Sequence, residues 1–301
     1  MSGHADRMKR VVPLALVLSV AVLAGCSSAK PAAVPTTSAA AATTAASSAG
    51  PPVRPAHTVV VLMENHSYAD VIGNAAAPYI NSLASAGASF TQSFGVTHPS
   101  QPNYLALFSG STQGVTDDSC PQTFTAPDLG SELRAAGKTF AAYSESLPAP
   151  GSTDCTSGSY ARKHAPWTDF SALPTSVNLP FSAFPSDYAT LPAVAFVVPN
   201  LDNDMHDGTV AQGDQWLQHN LAGYVTWAQA HNSILVLTWD EDDHSADNQI
   251  PTVIVGDHIK PGQYDEHLTH YGVLRTIENL YGVAPLGESA KAAPVTDIWQ
   301  N

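Results

Sequence analysis

The chain has 301 residues, with 26 acidic against 12 basic side chains and a formal net charge of −14. Residues 1–25 carry three of the cations and one anion, which leaves nine basic and 25 acidic groups beyond them, a balance of −16. That balance argues against nucleic acid as a partner and against electrostatic docking on anionic lipid.

Residues 1–26 begin with Arg7, Lys9 and Arg10, continue through an apolar run over 11–23 and end in Leu23-Ala24-Gly25-Cys26. The pattern predicts an export signal closing in a lipobox, with Cys26 as the lipidated residue and any membrane association made through that anchor. Cleavage near the same place and free secretion is the alternative. Residues 27–56 are almost all Ala, Ser, Thr, Pro and Val, too little apolar area to offset the entropy of ordering, and are predicted as a disordered tether. Residues 57–301 are long enough for one sizeable domain.

Within that domain, residues 57–63 (HTVVVLM) predict a buried strand, 78–86 a helix stopped by Gly87, and 88–94 a second strand. The stretch 97–110, THPSQPNYLALFSG, reads as a tight loop followed by a short helix with Ser100 at its N-cap. Pro99 and Pro102 suit a first turn, where the missing N–H would have no partner anyway. A helix over 129–136, a strand over 139–143, a loop-rich region over 144–192 and a strand over 193–198 follow. A long amphipathic helix over 212–230, strands over 233–238 and 252–255, and a helix over 271–280 complete the order. Continuous apolar strands separated by helices imply an α/β fold in a single domain, a mainly parallel sheet with helices on both faces.

Ligands in such sheets sit at the carboxyl ends of strands, and the polar residues gather there. Glu64 and Asn65 follow the first strand, and Asp240 and Glu241 follow the run SILVLTW. Adjacent carboxylates repel unless a cation or proton lies between them, so Glu64, Asp240 and Glu241 form a candidate hard-oxygen site for a divalent cation. Asn65 adds a carbonyl ligand or donates to a phosphoryl oxygen. Asp202 and His206, spaced Asp-Xaa-Xaa-Xaa-His, offer themselves to a metal or a phosphoryl group. His98 and His270 reach toward the same cleft, and the basic pair Lys163-His164 suits an anionic group. Plainer readings stand beside these: Ser100 as a helix cap, Asp240 to Asp243 as a solvated acidic turn, each histidine as a structural hydrogen-bonding group, Lys163-His164 as a surface pair. Cys120 and Cys155 are expected to form one disulfide in an exported chain.

Together these groups suggest phosphoryl transfer: in-line attack by Ser100, a phosphoserine intermediate, protonation of the leaving alcohol by His206, and release of phosphate by water, with a divalent metal ion of unknown identity in support. An optimum below neutral is expected if the histidines are protonated.

The set MENHSYADVIGN, THPSQPNYLALFSG, YARKHAPW, PNLDNDMHDG, TWDEDD and THYGVLRTIENLYG resembles the bacterial phosphoesterase family that groups acid phosphatases with phospholipases C and shares the alkaline-phosphatase-like fold. Within it the chain is most similar to small secreted acid phosphatases, including those acting on phosphatidylinositol 3-phosphate. The resemblance covers about 57–300. It implies Ser100 as nucleophile, with His206, His98 and His270 as further catalytic groups. It implies Asn65, Asn103 and His164 for substrate, joined by Lys163 from the basic pair, and Glu64, Asn65, Asp240 and Glu241 for metal, joined by Asp202 on the spacing argument. Ser100-Gln101-Pro102-Asn103 departs from the Thr-Asp-Pro-Asn of the phospholipase C branch, whose chains are longer, and this favours a phosphatase. The expected substrate is a phosphorylated small molecule or phospholipid, and the expected state a monomer. A phospholipase C-type phosphodiesterase and a non-catalytic surface lipoprotein that binds a cation or phosphorylated ligand are the other two readings.

Overall fold

The computed structural model describes residues 53–300; the predicted export signal, Cys26 and all but the last residues of the predicted tether lie outside the described residues. Eight strands form one sheet: β1 (His57–Met63), β2 (Ala88–Phe90), β3 (Phe140–Ser144), β4 (Asn178–Pro180), β5 (Val194–Val198), β6 (Ser233–Trp239), β7 (Thr252–Gly256) and β8 (Gly262–Tyr264). Their order is β8-β2-β7-β6-β1-β5-β3-β4. β1 lies between β5 and β6 and is parallel to both, with Val59 opposite Ala195 on one side and Leu235 on the other. β7 alone reverses, running antiparallel to β6 and β2.

Every residue of β1 after His57 is buried, which is why its sequence is a continuous apolar run rather than an alternating one. Successive side chains still point to opposite faces. Val60 and Leu62 join one core layer with α2 (Ser100–Ser109), α3 (Leu129–Ala135) and α5 (His270–Tyr281), through Tyr104, Phe108, Leu133 and Ile277. Val59, Val61 and Met63 join the other with α1 (Pro78–Ala86) and α4 (Val210–Ala228), through Ile80, Leu83, Leu221 and Tyr224. The doubly covered sheet expected from the sequence is therefore present. Among the described residues no helix is long and apolar enough to cross a membrane.

Three expectations need correction. The predicted strand 88–94 is two pieces, β2 and a pair Ser93–Phe94 that binds Leu268–Thr269 instead of the main sheet. The loop-rich region 144–192 contains the edge strand β4, and β8 at the other edge was not foreseen. Three-residue strands holding Pro or Gly are too short to show a period and are typical of sheet edges.

α2 is buried along all ten residues, so its polar side chains must find partners inside the protein. It stops at Gly110, which has φ +70 and whose missing Cβ would overlap Leu286 O. Cys120 and Cys155 form the expected disulfide, with Cα atoms 5.8 Å apart across a sequence separation of 35. Closing a loop of that length in the unfolded chain contributes about 4 kcal/mol in the chain-entropy account.

Candidate active site

The carboxyl ends of β1, β5 and β6 deliver Glu64, the 199–208 loop and Asp240-Glu241 to one edge of the sheet, where α2 begins. The N-cap of α2 is Pro99, with no side-chain cap, and Ser100 is its first helical residue. The expected cap is thus displaced by one position, and the hydroxyl is free for other partners. Ser100 Oγ lies 3.1 Å from Glu64 Oε2 and 3.4 Å from Glu241 Oε1, and its single proton serves one of them at a time. Pro102 has no N–H to offer, and the Gln101 N–H already donates to Asp118 Oδ1 at 2.9 Å. The helix start therefore presents fewer free donors to a phosphoryl group than its sequence implies.

Asn103 is spent on the loop before Ser100. Its Oδ1 accepts from the Val96 and Thr97 N–H groups at 2.9 and 3.0 Å, and its Nδ2 donates to Thr97 O at 2.8 Å. The same Nδ2 lies 3.4 Å from Glu241 Oε2. Asn65 takes a left-handed φ of 51, tolerated by asparagine, and this turns its N–H onto Asp240 Oδ1 at 3.2 Å.

The carboxylates crowd one another out of water. Glu64, Asp204 and Asp240 are fully buried. Burial first, and then the Asp240 and Asp204 carboxylates, hold the Glu64 carboxyl well above its usual range, against a 2.6 Å hydrogen bond from the Tyr104 hydroxyl. Burial pushes Asp240 up to about 6. Burial and then the Asp240 charge push Glu241 up to about 8. Asp204 is raised well above its usual value, mainly by burial.

The histidines move the other way. His270 Nε2 lies 2.6 Å from the Asp240 carbonyl oxygen. A carbonyl only accepts, so Nε2 carries the proton and the buried Nδ1 keeps a lone pair that no protein group takes up. Burial pulls His270 down to about 4. His164, stacked on Tyr104 with ring centroids 4.9 Å apart, is lowered well below its usual value by burial, then by Lys163 and His206. His98, 2.7 Å from Glu241 Oε2 and stacked on His244, is also lowered, by burial and then by His244. These three histidines therefore hold a proton less readily than a free imidazole and do not supply the protonated groups on which the expected acid optimum rests. His206 sits between Asp207 Oδ1, 2.7 Å from its Nδ1, and Lys163 Nζ, 3.3 Å from its Nε2. An ammonium only donates, so Nε2 accepts and the ring proton sits on Nδ1.

Two assignments change. Asp202 is exposed and accepts from Ser159 Oγ at 2.6 Å, away from the carboxylate cluster. Asp204, two residues on, takes the inner position because its carbonyl receives the Glu64 N–H at 2.9 Å at the end of β1. Its Oδ2 is 3.3 Å from His164 Nδ1, and its Oδ1 accepts the His206 N–H at 2.8 Å. Tyr104 was also missed; it stands four residues after Ser100, on the same helix face. Asp118 carries no motif at all.

The donor set fits a divalent cation. Glu64, His164 and His206 each place a ligand atom within 4.8 Å of the others. Asp240 Oδ2, Asp204 Oδ2, His164 Nε2 and His270 Nδ1 are buried without a hydrogen-bond partner. His164 Nε2 is 3.0 Å from Glu64 Oε1 but misaligned for a bond. Orphaned buried lone pairs on this scale are costly unless an ion or proton satisfies them.

A sign follows for the protein freed of metal. A carboxyl with a raised folded pKa holds a proton that the unfolded chain has released, so stability falls as pH rises toward the folded pKa. The lowered histidines act oppositely, but only below their unfolded pKa of about 6.5. Between about 6.5 and the Glu241 value of about 8, the melting temperature of chelated protein is expected to fall, and added divalent cation to raise it most at the upper end. Thermal melts across that window check this; a chelated protein that gains stability there would contradict it.

A serine hydroxyl at the start of a buried helix faces carboxylates at the ends of parallel strands, on a fold of the alkaline-phosphatase type. Solved structures share the fold. An alkaline phosphatase superfamily protein from Vibrio parahaemolyticus superposes with a TM-score of 0.59 at 13% identity, over 81% of this chain and 71% of that one. The phosphonate monoester hydrolase of Agrobacterium radiobacter gives 0.52 at 14% identity, over 82% and 79%. The chain belongs to the Phosphoesterase family, whose model matches residues 74–284. A phosphatidylinositol-3-phosphatase of Mycobacterium tuberculosis is 56% identical over 247 residues, 81% of this chain and 83% of that protein. An acid phosphatase of Aspergillus fumigatus is 33% identical over 265 residues, 80% of this chain and 58% of that longer protein. The protein is a hydrolase of phosphoric monoesters.

Proposed function

We propose that this is an exported, metal-assisted acid-phosphatase-type enzyme that forms a phosphoserine at Ser100 and takes phosphatidylinositol 3-phosphate among its substrates. The observation that carries the mechanism is Ser100 Oγ set between Glu64 and Glu241 in a buried carboxylate cluster short of partners. Identity of 56% to a phosphatidylinositol-3-phosphatase supports the substrate. The leader pattern and the oxidised Cys120–Cys155 pair support export.

Glu64, Asp240 and Glu241, with the Asn65 side chain, would hold the cation, and His164, Asp204 and His270 close the cluster around it. When bound, such an ion lowers the pKa of a hydroxyl and offsets charge on phosphoryl oxygens. Ser100 passes its proton to a neighbouring carboxylate and attacks phosphorus in line, and the ester P–O bond breaks. The Lys163 ammonium can hand a proton to His206 Nε2, and His206 can pass it to the leaving oxygen. Water then attacks the phosphoserine phosphorus, the P–Oγ bond breaks, the proton that water loses restores the Ser100 hydroxyl, and inorganic phosphate leaves.

The test compares release of 4-nitrophenol from 4-nitrophenyl phosphate and from 4-nitrophenylphosphorylcholine, and phosphate release from dispersed phosphatidylinositol 3-phosphate. The monoester and the phosphoinositide are expected to be hydrolysed, at least ~100-fold above the diester, and chelation to remove activity that a divalent cation restores. A preference for the diester would sink the monoesterase reading; full activity in chelator would sink the metal.

A further inference from the structure

Asp118 stands on the segment between α2 and α3, two residues before the Cys120–Cys155 bridge. Both of its oxygens are engaged. Oδ1 accepts the Gln101 N–H at 2.9 Å and Oδ2 accepts from Lys163 Nζ at 2.8 Å. The first donor belongs to the residue after the nucleophile, at the positive end of its helix. The second is the ammonium that also meets His206. A phosphoryl group on Ser100 Oγ would draw on the same two donors, because an N-terminal N–H and a fixed cation are what an anionic oxygen seeks.

Holding the helix start does not require a charge. A serine or asparagine would accept the Gln101 N–H as well. The charge also has a cost, since Asp118 would repel an incoming phosphate dianion. Unlike Glu64, Asp204 and Asp240, its side chain keeps 30% exposure, so it can swing into water without opening the core.

We propose that Asp118 is a specificity-determining residue that competes with the phosphoryl group for Gln101 N–H and Lys163, withdrawing when substrate binds and returning to displace inorganic phosphate. The proposal rests on Ser100 as the nucleophile.

The probe is inorganic phosphate as a competitive inhibitor of 4-nitrophenyl phosphate hydrolysis by the metal-loaded protein. Asp118→Asn and Asp118→Ser, each checked for a wild-type circular dichroism spectrum, are expected to lower both the KM and the phosphate Ki by at least ~5-fold, the effect of removing one opposing charge, with kcat held or reduced. Unchanged or higher KM and Ki would make Asp118 a cap that positions Lys163, and would overturn the proposal. The wild type supplies a second arm that needs no variant. A structure with phosphate or vanadate at Ser100 is expected to show the Asp118 carboxylate withdrawn from both donors. An anion seated there with both Asp118 contacts intact overturns the proposal alone. An anion bound away from Ser100, or full activity in Ser100→Ala, overturns the reading beneath it.

Discussion

Ser100→Ala is expected to lower hydrolysis of 4-nitrophenyl phosphate by at least ~10³-fold, the usual scale for loss of a covalent nucleophile, while the protein stays folded. The fold tolerates the change because the hydroxyl caps nothing. Pro99 holds the N-cap position, α2 has no side-chain cap to lose, and alanine is the best helix former. The oxygen's hydrogen bonds to Glu64 and Glu241 are all that goes, about 1 kcal/mol of stability. A second readout separates covalent catalysis from substrate binding. Acid-quenched wild-type protein, caught during turnover, is expected to carry phosphate on the peptide that contains Ser100, and the variant to carry none. Near-wild-type turnover by Ser100→Ala would move the nucleophile elsewhere in the cleft.

Glu64→Gln is expected to split activity from stability. The side chain faces Ser100, Tyr104 and His164 and lies beside Asp240, so its loss as an anion removes a proposed metal ligand and changes the field around Ser100. Activity is expected to drop by ~10² to 10³-fold, as for other groups that act on the transition state. Without metal, however, the wild-type carboxyl is a buried acid whose ionisation is opposed by burial, Asp240 and Asp204. Glutamine keeps the shape and removes that ionisation. Chelated Glu64→Gln is therefore expected to melt above chelated wild type near pH 7.5, by roughly 4 °C for a domain of this size. Saturating divalent cation is expected to reverse the order, because only the carboxylate binds it strongly. If the variant melted lower than wild type in chelator, Glu64 would be a stabilising partner of His164 or Lys163 rather than an unmet charge. Function held against stability in this way is a common feature of active sites.

How much of this was open to a reader of the sequence depends on how local each signal is. β1, β5 and β6 announce themselves because strands covered on both faces need unbroken apolar runs, and Glu64, Asp240 and Glu241 stand out as charges directly after such runs. The edge strands β4 and β8 carry three residues each and no period. Ser100 lies at the start of a helix, as the sequence implies, but its place at N1 rather than the N-cap depends on the conformation of Pro99, which composition does not specify. Between Asp202 and Asp204 the sequence offers two equal acids in one loop. Only the bond from the Glu64 N–H to the Asp204 carbonyl, a contact across 140 positions of chain, decides which one turns inward. Asp118 was invisible for the same reason: its two partners, Gln101 and Lys163, lie on opposite sides of it in the sequence.

The reversal of β7 gives the connection after β6 an unusual freedom. Because β6 and β7 are antiparallel neighbours, paired from Thr238 with Thr252 to Ile234 with Gly256, the segment that joins them leaves and re-enters the sheet at the edge where Ser100 sits. No helix has to cross the sheet between them. That segment carries His244, which stacks on His98, and is folded around Asp242, whose carboxylate takes the N–H groups of His244, Ala246 and Asn248. Residues 243–247 can be lengthened with little closure entropy, provided Asp240 and Glu241, which line the site, Asn248, which holds the Thr97 carbonyl, and Ile250, which belongs to the core, stay in place. For protein engineering this marks the tip as a graft site, where a new surface can be set beside Ser100 and a change of leaving-group preference sought without rebuilding either core layer.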